Sequence, residues 1–230
     1  MPLMRKIEVA CLGPTGDIVE FSRIVPAIPA FDEAFSAFAR GTLFPTDRGL
    51  VAVEDLLPGD RIKTASNGFQ TLIWRGSTLV VPQARGQDPA MGRLTRIAAD
   101  ALGIARPMHD LVLGPHARIA HRSPAVVRAT GSDAALIPAA DFIDGNNVIE
   151  ITPPSPVPVF HLAFTGHERL LANGVEVESF HPGPAPMLTM RPEYLSLFLS
   201  CFPHVGQLAE FDVLTLPRLR LGDLDLVNVA

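Results

Sequence analysis

The stretch AFARGTLFPTDRGLVAVEDLLPGDRIKT, residues Ala37–Thr64, decides the fold that the sequence predicts. Two apolar runs, Thr42–Pro45 and Leu50–Val53, flank a turn around Gly49, and a third run, Arg61–Thr64, follows a Pro-Gly turn. Short runs rich in Val, Ile, Leu, Thr and Phe, separated by Gly and Pro, are typical of strands. The stretch therefore predicts several short strands joined by tight turns.

A second stretch, VPVFHLAFTGHERLLANGVEVES at Val157–Ser179, continues the same pattern. Its Asn173-Gly174 pair is the strongest two-residue hairpin signal in the chain. Comparable apolar runs with turn residues between them fill the sequence from Lys6 to Leu171, which favours an all-β fold.

The C-terminal part of the chain has a different character. RPEYLSLFLSCF at Arg191–Phe202 places a proline at a helix start and apolar residues at helical spacing, which predicts a short helix. We divide the chain into a leading segment, residues 1–36, with short strands and an extended linker in VPAIPA; a β domain, residues 37–179; and residues 180–230. The last part should comprise a Pro-rich linker, the helix, and a strand or tail that lies on the core.

The composition indicates a chain that folds around a hydrophobic core. Its 230 residues are 47% hydrophobic and 19% charged, with a net charge of −5. An acidic chain without a basic cluster disfavours nucleic acid as a partner. No stretch is apolar enough to predict a membrane span, and no secretory signal is found, so we expect a cytoplasmic protein, with export by a route that needs no N-terminal signal left open. The distant Cys11 and Cys201 predict buried thiols, and no metal or other cofactor is expected.

The two quoted stretches resemble the two ends of the Hint module, the fold shared by Hedgehog autoprocessing domains and inteins, and most of all that of bacterial Hint-domain proteins. The first block of that module has a nucleophile, a Gly-Thr pair, an apolar strand, a turn with glycine, and a run with Asp-Leu and Gly-Asp. This chain matches that order at Gly41, Thr42, Gly49, Val51, Val53, Asp55, Leu56, Gly59, Asp60, Ile62 and Thr64. The second stretch is similar to the closing blocks of the module, including their ANG-V-x-V pattern.

The resemblance implies a self-cleavage site whose first residue is a Cys or Ser that attacks the preceding carbonyl. That position falls on Ala37, which has neither a thiol nor a hydroxyl. The neighbouring Ser36 is an alternative nucleophile, shifted by one residue, although a serine before a strand more often stabilises a turn.

The middle block of the module carries a Thr-x-x-His motif that protonates the departing amide nitrogen. In the matching stretch the threonine falls on Gly114 and the histidine on Ala117, and His116, one residue early, would point to the opposite side of an extended segment. Splicing inteins end in His-Asn, whereas this chain has Glu178-Ser179 after its last strand. The positions of the former site are therefore Ala37, Thr42, Ala117, His161 and His167, with His116 as a substitute acid.

Three hypotheses follow. The first is a degenerate Hint fold without autoproteolytic or splicing activity, which serves as a structural or interaction module with a protein partner or a second copy. The second is a self-cleaving protein whose natural cysteine has been replaced by Ala37. The third is a ligand-binding or hydrolytic site that reuses the old cleft, with His161 or His167 as the base.

Overall fold

The computed structural model describes residues 3–183 and 190–227, and most of its regular structure is antiparallel strand. The all-β prediction is confirmed. The strands are β1 (Met4–Leu12), β2 (Ile18–Pro26), β3 (Phe38–Ala39), β4 (Leu43–Thr46), β5 (Gly49–Ala52), β6 (Arg61–Lys63), β7 (Phe69–Thr71), β8 (Trp74–Val80), β9 (Leu94–Ile97), β10 (Leu111–Leu113), β11 (Arg118–His121), β12 (Ala135–Pro138), β13 (Val148–Ile151), β14 (Val157–Ala163), β15 (Arg169–Ala172) and β16 (Val175–Glu178).

Four short α-helices are present among the described residues, and 3₁₀ turns occupy Val53–Asp55, Pro89–Gly92, Ala139–Phe142 and Leu208–Glu210. The α-helices are α1 (Pro29–Phe35), α2 (Pro124–Thr130), α3 (Pro192–Leu199) and α4 (Leu221–Val227). Among the residues that the structure describes, no helix is long and apolar enough to cross a membrane.

The strands form three sheets. An eight-stranded sheet has the order β13-β9-β10-β3-β14-β8-β1-β2, and two four-stranded sheets have the orders β12-β11-β16-β15 and β5-β4-β6-β7. The hairpin of β15 and β16 turns through Asn173 and Gly174, whose φ angles are 47° and 89°. Positive φ at both central residues is what a type I′ turn requires, and this explains the Asn-Gly pair.

Two places depart from the sequence predictions. The VPAIPA segment does not stay extended to its end, because Pro29 begins α1, and a proline is well suited to the first helical turn. The final stretch does not form a strand: Arg218 makes one isolated bridge to Leu136, and the chain then forms α4. Leu221 and Leu224 lie three residues apart and pack on α2 and β12, so the helical spacing prevails.

The predicted helix after the β domain is confirmed as α3, which begins at Pro192. The Pro-rich residues 184–189 before it and residues 228–230 at the end of the chain lie outside the described residues.

The two largest hydrophobic clusters among the described residues join the parts of the chain. The central core joins the three sheets, and its largest side chains include Phe38, Phe44, Ile62, Leu111 and Leu170. The flank cluster brings the leading segment and the C-terminal part together; its large members are Ile7, Val9, Val25, Phe31, Phe35, Trp74, Phe180, Phe198 and Phe202.

Trp74 lies at the centre of the flank cluster and is fully buried. Its ring stacks on Phe202 at 4.7 Å between centroids, and its indole N–H donates to the carbonyl of Cys201 at 2.8 Å. A buried tryptophan with its N–H satisfied contributes a large apolar surface without leaving a polar group unpaired. The two flanks of the chain therefore share one core.

Candidate functional site

The site to which the sequence points is the peptide bond between Ser36 and Ala37, where α1 ends and β3 begins. We call it the junction. Its carbonyl oxygen, on Ser36, accepts a hydrogen bond from the backbone N–H of His116 at 3.1 Å. Its N–H, on Ala37, donates to the carbonyl of Phe160 on β14 at 3.0 Å. Both polar groups of the peptide are therefore satisfied by backbone partners, as in a sheet.

The side chain at position 37 is a methyl group that is 0% exposed and packs in the central core. The carbonyl of Ala37 accepts from the N–H of Gly114 at 2.7 Å, which ties β3 to the turn after β10. No atom of an alanine side chain can attack a carbonyl. At this position the chain supplies packing and no nucleophile.

Gly114 approaches the junction so closely that a side chain would not fit. A Cβ added there would overlap the carbonyl of Ser36. The threonine that the resemblance expects at this position is thus excluded by the present backbone path. Ala117, at the expected histidine position, is a buried methyl group.

His116 faces the junction, and the expectation that it points away is wrong. Residues 114–117 form a turn, in which the N–H of Ala117 donates to the carbonyl of Gly114 at 3.3 Å, so the alternation of an extended strand does not apply. Its ring Nδ1 lies 2.9 Å from the hydroxyl oxygen of Ser36. The Ser36 hydroxyl donates to the carbonyl of Asp32. Because a serine has one hydroxyl proton, the bond to His116 requires that Nδ1 be the donor.

This arrangement makes His116 a poor partner for proton transfer. Burial lowers the pKa of His116 to about 4, with the charges of Glu33 and Arg118 acting in opposite directions. The ring is therefore neutral at pH 7. Its Nδ1 proton holds Ser36 in place, so that nitrogen is not free to act as a base for the Ser36 hydroxyl.

The side chains of Thr42 and His161 also form hydrogen bonds to backbone carbonyls. The hydroxyl of Thr42 donates to the carbonyl of Ala39 at 2.7 Å. His161 is buried between the rings of Phe38 and Phe180, and its Nδ1 donates to the carbonyl of Glu33 at 3.0 Å. Burial lowers the pKa of His161 to about 3, so it is a neutral core histidine at pH 7.

His167 precedes β15 and lies against Glu178, at the end of β16. Its Nδ1 accepts the backbone N–H of Thr215 at 2.9 Å, so Nε2 carries the proton and donates to the Glu178 carboxylate at 3.1 Å. Both nitrogens of this buried ring are engaged, and one of the partners comes from the C-terminal part of the chain.

Glu178 is the centre of a group of charges, which we call the Glu178 cluster: Glu178, His167, Arg118 and Arg218. Arg218 donates to the carboxylate at 2.9 Å and Arg118 at 3.3 Å. Burial alone would raise the pKa of Glu178, but the hydrogen bond from His167 and the two arginines outweigh it and lower this pKa to about 2. Arg118 also bridges at 3.1 Å to Glu33 on α1.

Of the cluster, only Glu178 and His167 could be singled out from the sequence. Arg118, Arg218 and Thr215 come from a strand and a tail that are distant along the chain, and none belongs to a local motif. The residues singled out from the sequence thus include two groups: Ser36, Ala37 and His116 at the junction, and His167 with Glu178 at the cluster. Arg118 connects the cluster to Glu33 on α1, near the junction. Within the described residues, no group of three His, Cys, Asp or Glu side chains is arranged to hold a metal ion.

A family model described as the Hint domain matches residues 36–184. The chain belongs to the Hint domain family. Two solved structures are similar to it: an intein-like domain from Clostridium thermocellum, with a TM-score of 0.43 and 13% identity over 64% of this chain and all of that one, and a splice-inactive variant of the AceL NrdHF class 3 split intein, with a TM-score of 0.42 and 11% identity over 63% of this chain and 97% of that one. No curated protein matches the chain.

The Hint domain match begins at Ser36, directly before Ala37. It also includes the middle turn with His116 and the closing strands with His167 and Glu178. The junction and three members of the Glu178 cluster, Glu178, His167 and Arg118, are therefore parts of the Hint domain. β1, β2 and α1 precede the matched residues, and Arg218 follows them.

Proposed function

We propose that this Hint-domain protein neither cleaves nor splices itself, and that its fold serves as a structural or interaction module. The observation that carries the proposal is Ala37: the residue that would attack the junction carbonyl is a buried methyl group. Without a nucleophile there is no ester or thioester, and each later step of self-cleavage depends on that intermediate.

The rest of the junction supports the same conclusion. Departure of the amide nitrogen needs a proton donor aimed at it, but the N–H of Ala37 faces the carbonyl of Phe160, which is an acceptor. His116 is neutral at pH 7, and its Nδ1 is bonded to Ser36. At the closing end, Glu178 and Ser179 offer no amide side chain that could cyclise.

The leading segment that cleavage would release is a part of the fold. β1 pairs with β8 from Glu8 to Cys11, and Glu33 on α1 bonds Arg118 of the β domain. We propose that the three parts, residues 1–36, 37–179 and 180–230, work as one body, in which the Hint domain carries both flanks. The partner of such a module would be a protein or a second copy, and a cytoplasmic location remains our prediction.

The test is the mass of the native chain under denaturing conditions after incubation with hydroxylamine, which cleaves esters and thioesters within a backbone. The proposal expects one unbroken species of full mass. Denaturation is needed because the β1–β8 pairing would hold a released fragment in place. A fragment that ends at Phe35 or at Ser36 would overturn the proposal, and its mass would tell which residue attacked.

A second candidate function is favoured by one observation. The His116 N–H lies 3.1 Å from the junction carbonyl, where negative charge would develop during attack, and such donors stabilise an oxyanion. This would suit a self-cleaving Hint protein whose natural cysteine has been replaced at position 37. Introducing Ala37→Cys separates the two candidates, because only a site that is otherwise intact would then cleave.

The third hypothesis, a ligand site that uses His161 or His167, gains no support from the geometry. Both rings are buried, and hydrogen bonds within the protein engage Nδ1 of His161 and both nitrogens of His167.

A further inference from the structure

The outer edge of β2 is the end of the eight-stranded sheet. β2 pairs along all of its length with β1, from Ile18 opposite Leu12 to Pro26 opposite Met4, and with no other described strand. A long strand at the edge of a sheet presents a row of unpaired N–H and C=O groups that can pair with another chain.

The hydrogen bonds at the two ends of the hairpin show which residues of β2 face outward. The N–H of Gly13 donates to the carbonyl of Asp17 at 2.7 Å, and the N–H of Ala27 donates to the carbonyl of Leu3 at 2.7 Å. In an antiparallel pair, hydrogen-bonded positions alternate with free ones. The odd-numbered residues of β2 therefore bond β1, and the even-numbered ones direct their N–H and C=O groups to the open edge: Ile18, Glu20, Ser22 and Ile24.

This edge is complementary to itself. A second copy of β2, antiparallel and related by a two-fold axis at Phe21, places Ile18 opposite Ile24 of the partner and Glu20 opposite Ser22 of the partner. Every free N–H and C=O between Ile18 and Ile24 then finds a partner, and none is left over within the overlap. Since each residue opposes one on the same face of the sheet, the symmetry also satisfies the alternation of side chains.

The side chains agree with this register. Ile18 and Ile24 are 43% and 58% exposed, and pairing covers one with the other on the same face. On the opposite face, Arg23 lies diagonally across from Asp17 of the partner, twice by symmetry. Neither residue makes an ion pair with any described residue of its own chain, so the edge carries unmatched charges of opposite sign that would meet.

We propose that two copies of this chain associate through their β2 edges, with the two-fold axis at Phe21, so that their eight-stranded sheets become continuous. The interface lies in the leading segment and outside the matched Hint domain, so the inference does not rest on whether the junction can be cleaved. Failure of the dimer would leave the mass test of the junction unaffected.

One feature of β2 opposes the association and makes the register testable. With the axis at Phe21, Glu20 lies diagonally next to Glu20 of the partner, and like charges across strands are destabilising. Glu20→Gln should therefore lower the dimer dissociation constant, by roughly threefold. With the axis moved to Ser22, the two glutamates would lie far apart and the substitution would have little effect.

The experiment is sedimentation equilibrium of the full chain over a range of concentrations. We expect a monomer–dimer equilibrium that Ser22→Pro weakens by about tenfold or more, because proline removes an N–H that faces the open edge and leaves the β1 pairing intact. Ser22→Ala, the matched control, should behave like the native chain. A native chain that stays monomeric at all concentrations would overturn the proposal, and a strand of another protein would then be the candidate partner of this edge. A dimer that Ser22→Pro leaves unchanged, while circular dichroism shows an intact fold, would also overturn it.

Cross-linking tests the register directly. At the axis, Phe21 faces its own copy at a non-hydrogen-bonded position, where strands are close enough for a disulfide. Phe21→Cys should therefore form a covalent dimer on mild oxidation, and Ser22→Cys should do so poorly; the native thiols, Cys11 and Cys201, are buried and should not compete. Efficient cross-linking of Ser22→Cys without that of Phe21→Cys would contradict the proposed axis.

Discussion

The junction and the Glu178 cluster are linked through Arg118, which bonds Glu178 and also Glu33 on α1, but the two regions are held together by different kinds of bond. At the junction, backbone groups bond one another, and the side chains present are a methyl group, a hydroxyl and a neutral imidazole. At the cluster, one carboxylate holds two guanidinium groups and a histidine. In our account the first region has become ordinary packing, and the second has become the attachment point of the C-terminal part.

The largest difference between the two regions should appear when the central charge of the cluster is removed. Glu178→Ala leaves Arg118 and Arg218, whose side chains are 16% and 18% exposed, without this carboxylate, although Arg118 keeps its bridge to Glu33. We therefore expect a loss of about 3 kcal/mol in the free energy of unfolding, the lower end for a broken buried ion pair. Glu176→Ala on the same strand is the matched control. The side chain of Glu176 is 21% exposed, against 2% for Glu178, so loss of its ion pairs with Arg122 and Arg169 should cost about 1 kcal/mol or less. Denaturant unfolding of both variants measures these losses. Equal losses of unfolding free energy would mean that the Glu178 cluster stabilises the fold no more than the ion pairs of Glu176 do.

Acid should begin to destabilise the two regions at different pH values. The folded pKa values of His116 and His161, about 4 and about 3, lie below the ordinary value of 6.5, so these rings stabilise the fold fully above pH 6.5 and lose that contribution as the pH falls through their folded values. By pH 5 each should have lost about 2 kcal/mol. The pKa of Glu178 falls from 4.5 to about 2, so its contribution is lost only below about pH 4.5.

Unfolding free energies from pH 7 to pH 3 check this order. The variant His116→Gln should show a smaller loss between pH 6.5 and pH 5 than the native chain. A native chain that is as stable at pH 5 as at pH 7 would show that these histidines are not held in their neutral form by the fold.

The close approach at Gly114 gives a steric test of the junction. Gly114→Ala places a methyl group where the carbonyl of Ser36 lies, and forcing the backbone apart in a packed region should cost about 1–3 kcal/mol. Gly222→Ala in α4 is the control, because a Cβ there meets open space and alanine favours a helix. If thermal unfolding shows both variants to be equally stable, β3 does not pack against this turn as described.

The smallest effect is expected at Ser36. Ser36→Ala removes the hydroxyl that bonds Asp32 and His116, and a hydrogen bond of this kind contributes about 1 kcal/mol. The chain should stay intact and lose about that much stability, as measured by denaturant unfolding. A native chain that is cleaved while the variant stays intact would instead indicate that Ser36 is reactive.

Much of the fold could be predicted because its signals are local. The Asn173-Gly174 turn and the alternation of apolar runs with Gly and Pro predicted hairpins, and the block from Gly41 to Thr64 pointed to the Hint family. The pairing of β1 with β8 could not be predicted, since it joins strands about 65 residues apart without a local pattern.

The candidate site was predicted only in part, for the same physical reason. The sequence placed a methyl group at position 37, but the facing of His116 depends on a turn at residues 114–117, and a strand was assumed. The Glu178 cluster depends on Arg118 and Arg218, which tertiary packing brings together. Local patterns give residue types at motif positions; they do not give the partners that the fold supplies.

The central claim is that the junction has lost its chemistry, and Ala37→Cys tests it most directly. The variant would be incubated with a thiol or hydroxylamine and its mass measured under denaturing conditions. Ala39→Cys, the control, puts the same side chain at a buried position of β3, two residues away. Our account predicts that both variants keep their full mass. Specific release of residues 1–36 from Ala37→Cys alone would contradict it and would show that the site lacks only its nucleophile.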